Sequence, residues 1–541
     1  MIDTQICTTP RPHHRQSSDI RGALGSLRQD DVGPRTGWGH RLRTFLAILG
    51  PGLIVMVGDN DAGAFSTYAQ AGQNYGTSLL WTLALLIPVL YVNQEMVLRL
   101  GAIAGVGHAK LILKRFGRFW GAFSVIDLFV LNALTLVTEF IGISLGLGEL
   151  GVPKTWGLAG AAVMIMAAVS TGDFRRFERF ALALVFGSLL LVPVFLMVHP
   201  PWTDIATDFV VPRLPPHAQL ADVMLLIIAI VGTTVAPWQL FFQQSYVIDK
   251  RIGPRFINYE RVDLVIGIVL VTVGAVAMIA FCAEAFHGTA DFGHFTDAGA
   301  VASGLSRAYG TRLPGVLFAL GLIDASVIGA AAVSLSSVYA IGDLFSLKHS
   351  LNNRPGQAKV FYGLYFCLIV AAASLVLIPG VPLGQLTNAV QTLAGVLLPS
   401  ASVFLLMLCN DEAIMGPWVN SRKMNAFTLF IVAILVTLSL ILTAAVLFPN
   451  MRSGQIATIL GVGFTLAAIA AALYLARGRR SPTPDRARLQ RDRMAWRAPD
   501  LETLERLELT PLRRVCMLAL RGYLIVAALM VIVRVIQTAA A

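Results

Sequence analysis

Two carboxylates stand inside an otherwise apolar run. The chain is almost wholly apolar from Ala47 to Val57 and then reads Gly58-Asp59-Asn60-Asp61-Ala62-Gly63. An Asp at the centre of a membrane helix costs roughly 3 kcal/mol on insertion scales. Each glycine weakens the helix by about 1 kcal/mol relative to alanine. Together they predict that the helix unwinds here, which hydrocarbon tolerates only where the backbone is buried in protein or lines a wet cavity. Freed carbonyls beside a carboxylate are the ingredients of a hard-cation site. The plainer alternative, a loop after a first helix, leaves Phe45 to Val57 too short to span a bilayer alone. A second interruption lies further on, in Ile230-Val231-Gly232-Thr233-Thr234-Val235-Ala236-Pro237-Trp238-Gln239. Pro237 removes a helix donor and clashes with the preceding turn. A lone proline would be an ordinary kink. Two interruptions at corresponding places in two halves point instead to a transporter's binding site.

The elements that hold these residues follow from composition. The chain has 541 residues, 56% hydrophobic and 13% charged, with a mean hydropathy of +0.70. Soluble domains carry nearly twice that share of charge, about 25%, so this is a polytopic membrane protein. Its formal net charge of +11 resides in short loops and tails, where it sets topology rather than binding nucleic acid. Cys7, Cys282, Cys367, Cys409 and Cys516 form no CxxC pair and no ligand spacing with histidine, so they read as small packing residues. No nucleophile–base pair, phosphate loop or hydrolase motif suggests an enzyme or a resident cofactor.

Apolar stretches of spanning length recur near 44–72 (broken), 77–98, 119–148, 156–172, 180–199, 220–248 (broken), 263–286, 313–342, 359–379, 386–409, 425–447 and 455–476, about twelve helices in all. The second break falls five spans after the first, which predicts an inverted repeat of five plus five helices, over 43–200 and 220–410, with helix 11 completing a core at 43–447 and helix 12 at 448–477. Residues 1–42 read as a disordered polar tail. Residues 478–541 read as a basic segment with a short helix near 501–509, ending in an apolar stretch at 515–537 that either spans or lies at the interface. The loops at 99–118, 172–180, 249–262 and 343–359 are rich in Lys and Arg, and those between them are poor. The rich loops share a side with the N-terminus, which is therefore expected to be cytoplasmic.

In order and spacing, these motifs resemble the NRAMP family of divalent-metal transporters across roughly residues 45–445. Gly50-Pro51-Gly52 resembles the opening of the family's first helix, and Asp61-Ala62-Gly63-Ala64 stands at its Asp-Pro-Gly-Asn motif. Ala236-Pro237-Trp238 stands at its Met-Pro-His motif. Arg99-Leu100-Gly101 resembles the segment after helix two, Glu139-Phe140-Ile141-Gly142 its Glu-x-x-Gly in helix three, and Gln391, eight residues before Pro399, its helix-ten glutamine. The resemblance implies a leucine-transporter-like fold working as a monomer, with a metal site at Asp61 and carbonyls supplied by Gly58 and Thr233. Ala64, Ala236, Trp238 and Gln243 replace the family's Asn, Met and two His, and Leu136 replaces an Asp in helix three. That pattern is similar to the NRAMP-related magnesium transporters.

Ligand chemistry points the same way. Without a thioether, the candidate set is Asp61, a nearby Asp59, the Gln391 amide and backbone carbonyls, which is an all-oxygen set suited to Mg²⁺ or Mn²⁺. Alanine at 64 and 236 frees volume for a partly hydrated ion. Around this set, Glu139 either lines the ion path or ties helices together, and Asp324 either joins the site or pairs with a polar neighbour. Asn388 lies three residues from Gln391, on the same helix face. Trp238 packs rather than ligates, because indole has no acceptor nitrogen. Gln239 and Gln243 are candidates for the path. The expected function is import of Mg²⁺, and of Mn²⁺, without proton coupling. The rival readings are proton-coupled Mn²⁺/Fe²⁺ uptake, an amino-acid transporter of the same fold and, from another class, a cation channel or membrane sensor.

Overall fold

The computed structural model describes residues 19–507 apart from 29–32, 34, 216–217, 381, 448–452, 477–492 and 495, together with 518, 522 and 525. The chain folds as helices in the order α1 (Trp38–Ile48), α2 (Pro51–Val57), α3 (Ala62–Tyr75), α4 (Leu80–Ala104), α5 (His108–Phe116), α6 (Arg118–Glu149), α7 (Lys154–Val169), α8 (Phe174–Gly187), α9 (Leu191–Val198) and α10 (Trp202–Val210). They continue as α11 (Leu220–Thr234), α12 (Pro237–Asp249), α13 (Ile257–Phe286), α14 (Ala298–Ala308), α15 (Leu313–Leu344), α16 (Lys359–Val376), α17 (Leu383–Cys409), α18 (Glu412–Met415), α19 (Arg422–Leu447) and α20 (Ser453–Ala476).

Among the described residues, ten helices or joined helix pairs are long and apolar enough to cross a membrane, or eleven if the bent pair α1–α2 is one span. Two of the twelve expected segments fall outside this measure, for local reasons. The first segment is cut into helices of 11, 7 and 14 residues. The fourth, α7, has only 16 residues. A bilayer accounts for the outer surface: Val262, Val265, Ile266, Val269, Leu270 and Val273 lie exposed along α13, as do Val163 and Met164 on α7. Outward-facing apolar stripes of this extent need lipid.

The breaks have local causes. Pro51 starts α2 and Pro237 starts α12, each at a position where its missing N–H costs nothing. Between α1 and α2 the chain bends by 53° at Gly50, whose φ of +148° is open to glycine but not to residues with a Cβ. Asp61 caps α3, its carboxylate accepting from the Ala64 N–H at 2.9 Å, a bond that stabilises a helix start by about 1 kcal/mol. The two interrupted helices meet in the core, where α2 and α3 both pack on α13, and α11 packs on α3 and α17.

Two terminal segments differ from expectation. Within the stretch expected to be a disordered tail, Ile20–Gly22 and Gly25–Leu27 form an antiparallel hairpin. It packs on α1, because Ile20 is fully buried and the Ala23 N–H bonds the buried carboxylate of Glu178. Within the stretch expected to be a short helix at 501–509, the described residues show only a 3₁₀ turn, Leu501–Thr503. There Arg115 bonds the Glu505 carbonyl and the Leu507 N–H bonds the Arg115 carbonyl at 2.9 Å, so the backbone is held by tertiary partners rather than by helix. The apolar stretch at 515–537 lies outside the described residues but for three positions.

Candidate metal site

Four helices bring polar groups to the first break. Gly58 caps the end of α2 and Asp61 the start of α3, leaving Asp59 and Asn60 between the two caps. All are buried. Their side chains diverge. Asn60 reaches to the Val271 carbonyl on α13 at 3.2 Å. Asp59 accepts from Gln239 Nε2 on α12, and Gln239 Oε1 in turn accepts from Gln94 on α4 at 2.8 Å. Asp61 faces α6 and α15. The Ala62 N–H donates to Glu139 Oε2 at 3.2 Å, and a Cβ on Gly329 of α15 would lie 2.7 Å from that oxygen and 3.0 Å from the Asp61 Cβ. Glycine at 329 therefore lets α15 close over the adjoining carboxylates of Asp61 and Glu139.

The second break supplies the opposite wall. Val235 bends and Ala236 is extended between α11 and α12. Thr234 bonds the Tyr68 hydroxyl at 2.7 Å, which ties α11 to α3. Thr233 Oγ1 is buried without a partner. Gln391 on α17 sits where a Cβ on Gly63 would be, with Nε2 1.7 Å from that point, and its Nε2 likewise has no partner. Asn388, one turn earlier, accepts from Ser66 at 3.3 Å. Gln391 thus packs against Gly63, Glu139 lies beside Asp61 and Ala62, and Asp59 faces α12.

The remaining positions fall as follows. Ala64 and Ala236 are buried, and the Ala64 backbone N–H is used in the Asp61 cap. Trp238 is packed, its carbonyl held by Ser336 at 2.9 Å. Gln243 is fully buried, and neither of its amide atoms has a partner. Asp324 points away: its carboxylate lies against the backbone of Gly187 on α8, 2.1 Å from where a Cβ there would be. Of the two readings of Asp324, the structure places it beside α8 and not beside Asp61. Reading the sequence did not pick out Gln94, Asn93, Tyr68 or Ser326. Gln94 and Asn93 carried a usable signal, as amides inside the span at 77–98.

Among the described residues no three His, Cys, Asp or Glu side chains converge as a metal cluster. What the site offers a cation is one carboxylate pair, Asp61 and Glu139, then Asp59, amide oxygens and the carbonyls at two helix ends. Such oxygen donors suit hard divalent ions.

The sequence of residues 52–445 matches the family described as natural resistance-associated macrophage protein-like, Nramp. The chain is 27% identical over 402 residues to the divalent metal cation transporter MntH of Ralstonia nicotianae, covering 71% of this chain and 87% of that protein. It is 28% identical over 415 residues to the MntH of Erwinia tasmaniensis, covering 73% and 93%. In structure it is similar to the Eremococcus coleocola manganese transporter solved with an aromatic bis-isothiourea compound, with a TM-score of 0.62 at 19% identity over 85% of this chain and 99% of that one.

Proposed function

Because this chain belongs to the Nramp family, we propose that it imports divalent metal cations by alternating access, with Mg²⁺ as cargo, Mn²⁺ as a competitor and no accompanying proton flux. The observation that carries the ion choice is Ala236, buried at the start of α12 where a thioether would favour softer ions. A methionine sulfur cannot replace a water on Mg²⁺ without loss, whereas carboxylate, carbonyl and amide oxygens can. With alanine at 64 and 236, part of the ion's water shell fits, and the dehydration cost that is highest for small Mg²⁺ falls. Ca²⁺, with a larger shell, fits worse.

The absence of coupling rests on residue chemistry. Leu136, Trp238 and Gln243 do not titrate, which leaves Glu139 as the ionisable neighbour of Asp61. A second reading is proton-coupled Mn²⁺ or Fe²⁺ uptake. It is favoured by the relatives' names and by the contact between Glu139 and Asp61.

Uptake into proteoliposomes separates the two readings, with Mg²⁺, Mn²⁺, Fe²⁺ and Ca²⁺ supplied singly and in competition while lumenal pH is recorded. The proposal expects Mg²⁺ uptake at millimolar concentration, inhibition by Mn²⁺ and a flat pH trace. The double variant Ala64→Asn/Ala236→Met should shift the Mn²⁺-to-Mg²⁺ preference by about tenfold, some 1.4 kcal/mol, towards Mn²⁺. Tight Mn²⁺ or Fe²⁺ uptake that ignores Mg²⁺ and acidifies the lumen would establish the second reading.

A further inference from the structure

Below Asp59 the interface of α4 and α12 holds an unusual concentration of amides. Gln94 and Asn93 come from α4, and Gln239 and Gln243 from α12. All four are fully buried. Gln239 and Gln243 are one turn apart and share a helix face. Two bonds order the upper end, from Gln239 to Asp59 and from Gln94 to Gln239. The rest is unpaired: both side-chain polar atoms of Asn93, both of Gln243, Oε1 of Gln94 and Oδ2 of Asp59. A buried polar atom left unsatisfied costs about 1–3 kcal/mol, and native structures keep few of them. Two helices that only had to pack would lose nothing with leucine here. The cluster instead has the composition of a surface that meets a polar occupant.

The acceptors identify the occupant's chemistry. A hydrated cation turns its water oxygens inward and presents only O–H donors outward. Asp59 Oδ2, Gln94 Oε1, Asn93 Oδ1 and Gln243 Oε1 are four unpaired acceptors. Beyond the single carboxylate of Asp59 the lining carries no formal charge, so it exerts little pull to strip the shell. The nearest histidine, His108, bonds Gln244 at 3.0 Å and is pushed by burial down to about 4, so it is neutral. The helix then leads out. Ser245, Ile248 and Asp249 at the end of α12 line a cavity of about 190 Å³, closed on the other side by Val106, Tyr339, Asp343 and His349. Gln239 and Gln243 therefore lie on α12 between Asp59 at the first break and the residues that line this cavity further along the same helix.

We propose that the α4–α12 interface is a second cation position, a neutral amide cradle that binds the divalent ion through its water shell on the way from the first break to the cavity on the N-terminal side. The assignment rests on the divalent-cation reading of the site at Asp61. It assigns Asn93, Gln94 and Gln243 to the ion's path rather than to helix packing.

The test uses the full-length protein with Gln243→Leu, Asn93→Leu and Gln243→Cys. Each leucine keeps much of the volume and removes the hydrogen-bonding groups. Mg²⁺ uptake by the leucine variants should fall about tenfold, a barrier increase of about 1.4 kcal/mol. Mg²⁺ affinity at the first break, read by calorimetry against Asp61→Asn, should stay within twofold of wild type, and thermal stability should be equal or higher. In Gln243→Cys, a cationic membrane-impermeant thiol reagent should react from the N-terminal side, and millimolar Mg²⁺ should slow that reaction at least threefold. Wild-type rates in both leucine variants overturn the proposal, as does reagent access that Mg²⁺ leaves unchanged, which marks the run as water-filled only. If one leucine variant misfolds, the other carries the transport arm. If the wild type takes up no divalent cation, the reading of the site itself fails, and protection of the cysteine by Mg²⁺ then decides the cradle alone.

Discussion

Two buried polar clusters in this molecule are satisfied in opposite ways. On the side that carries the N-terminus, Lys250 and Glu178 form an ion pair at 2.6 Å with neither side chain exposed. Lys250 Nζ also bonds the carbonyls of Ile48 and Leu49 at 2.6 and 2.7 Å, and Glu178 accepts from Tyr246 and from the hairpin at Ala23. Asp263 accepts from the N–H groups of Gly50 and Gly52 at 3.2 and 2.7 Å. Nearby, Glu95 pairs with Arg99 and Arg261 at 3.1 and 2.6 Å, and Arg115 with Asp411 at 2.5 Å. Glu260, in the first turn of α13, with both oxygens unpaired, and Oδ1 of Asp263 are exceptions. At the breaks the balance is reversed. There Asp59, Thr233, Glu139, Gln243 and Gln391 each leave a buried polar atom without a partner. Charges already matched within the protein act as fasteners for the bend between α1 and α2. Polar atoms left unmatched are available to something that passes through.

The contrast breaks first at Lys250. Replacing it by methionine strands Glu178 in a dry site, and losing one partner of a buried pair costs about 3–5 kcal/mol. Lys250→Met should therefore lower thermal stability sharply, and Glu178→Met in the same chain should recover most of the loss. Wild-type stability in the single variant would mean that the fasteners fasten nothing. Asp61→Asn should do the reverse. Asparagine caps a helix as well as aspartate does, so stability should hold, while uptake should drop about a hundredfold, some 2.7 kcal/mol in barrier. Substantial uptake by a folded Asp61→Asn protein would remove Asp61 from the site.

Glu139→Gln sharpens the comparison at the point where the two functions meet. The amide oxygen can still accept from the Ala62 N–H, so helix packing should be kept. If transport is uncoupled, Mg²⁺ uptake should stay within about threefold of wild type, under 1 kcal/mol. Collapse of uptake together with loss of a lumenal pH change would instead assign Glu139 to proton transfer.

The smallest effect concerns His349, in the loop at the cavity's rim, 3.1 Å from Asp343. Burial pushes the ring down, but the hydrogen bond and charge of Asp343 outweigh it and hold His349 above its usual value. A raised folded pKa stabilises the protein fully below the unfolded value of about 6.5, and that contribution is lost as pH rises through the folded pKa. The pair is partly open to solvent, so it should contribute less than about 1 kcal/mol. The melting-temperature gap between wild type and His349→Gln should be widest near pH 6 and close at higher pH. A gap that widens with pH would contradict the pairing.

Much of the architecture was legible in the amino-acid order, and the reason is local. A carboxylate or a proline inside an apolar run has a cost that does not depend on the fold, so Asp61 and Pro237 marked the two breaks. The apolar stretches marked the spans, and Gln391 and Glu139 stood out as polar groups at depth. Directions were not legible, because they depend on how each helix is rotated against its neighbours. Asp59 and Asp61 are two residues apart, yet one faces α12 and the other α6. Asp324 looked as eligible as Glu139 and turns to α8. Gln94 gave the same signal as any amide in a span, and only packing against α12 made it a partner of Gln239. The hairpin at 20–27 lies within a polar, Arg-rich N-terminal stretch, and it is ordered by Glu178, which lies more than 150 residues away in the chain. Composition and periodicity determined which groups are costly to bury. Only the tertiary structure decided which of them are matched by a partner and which are left open.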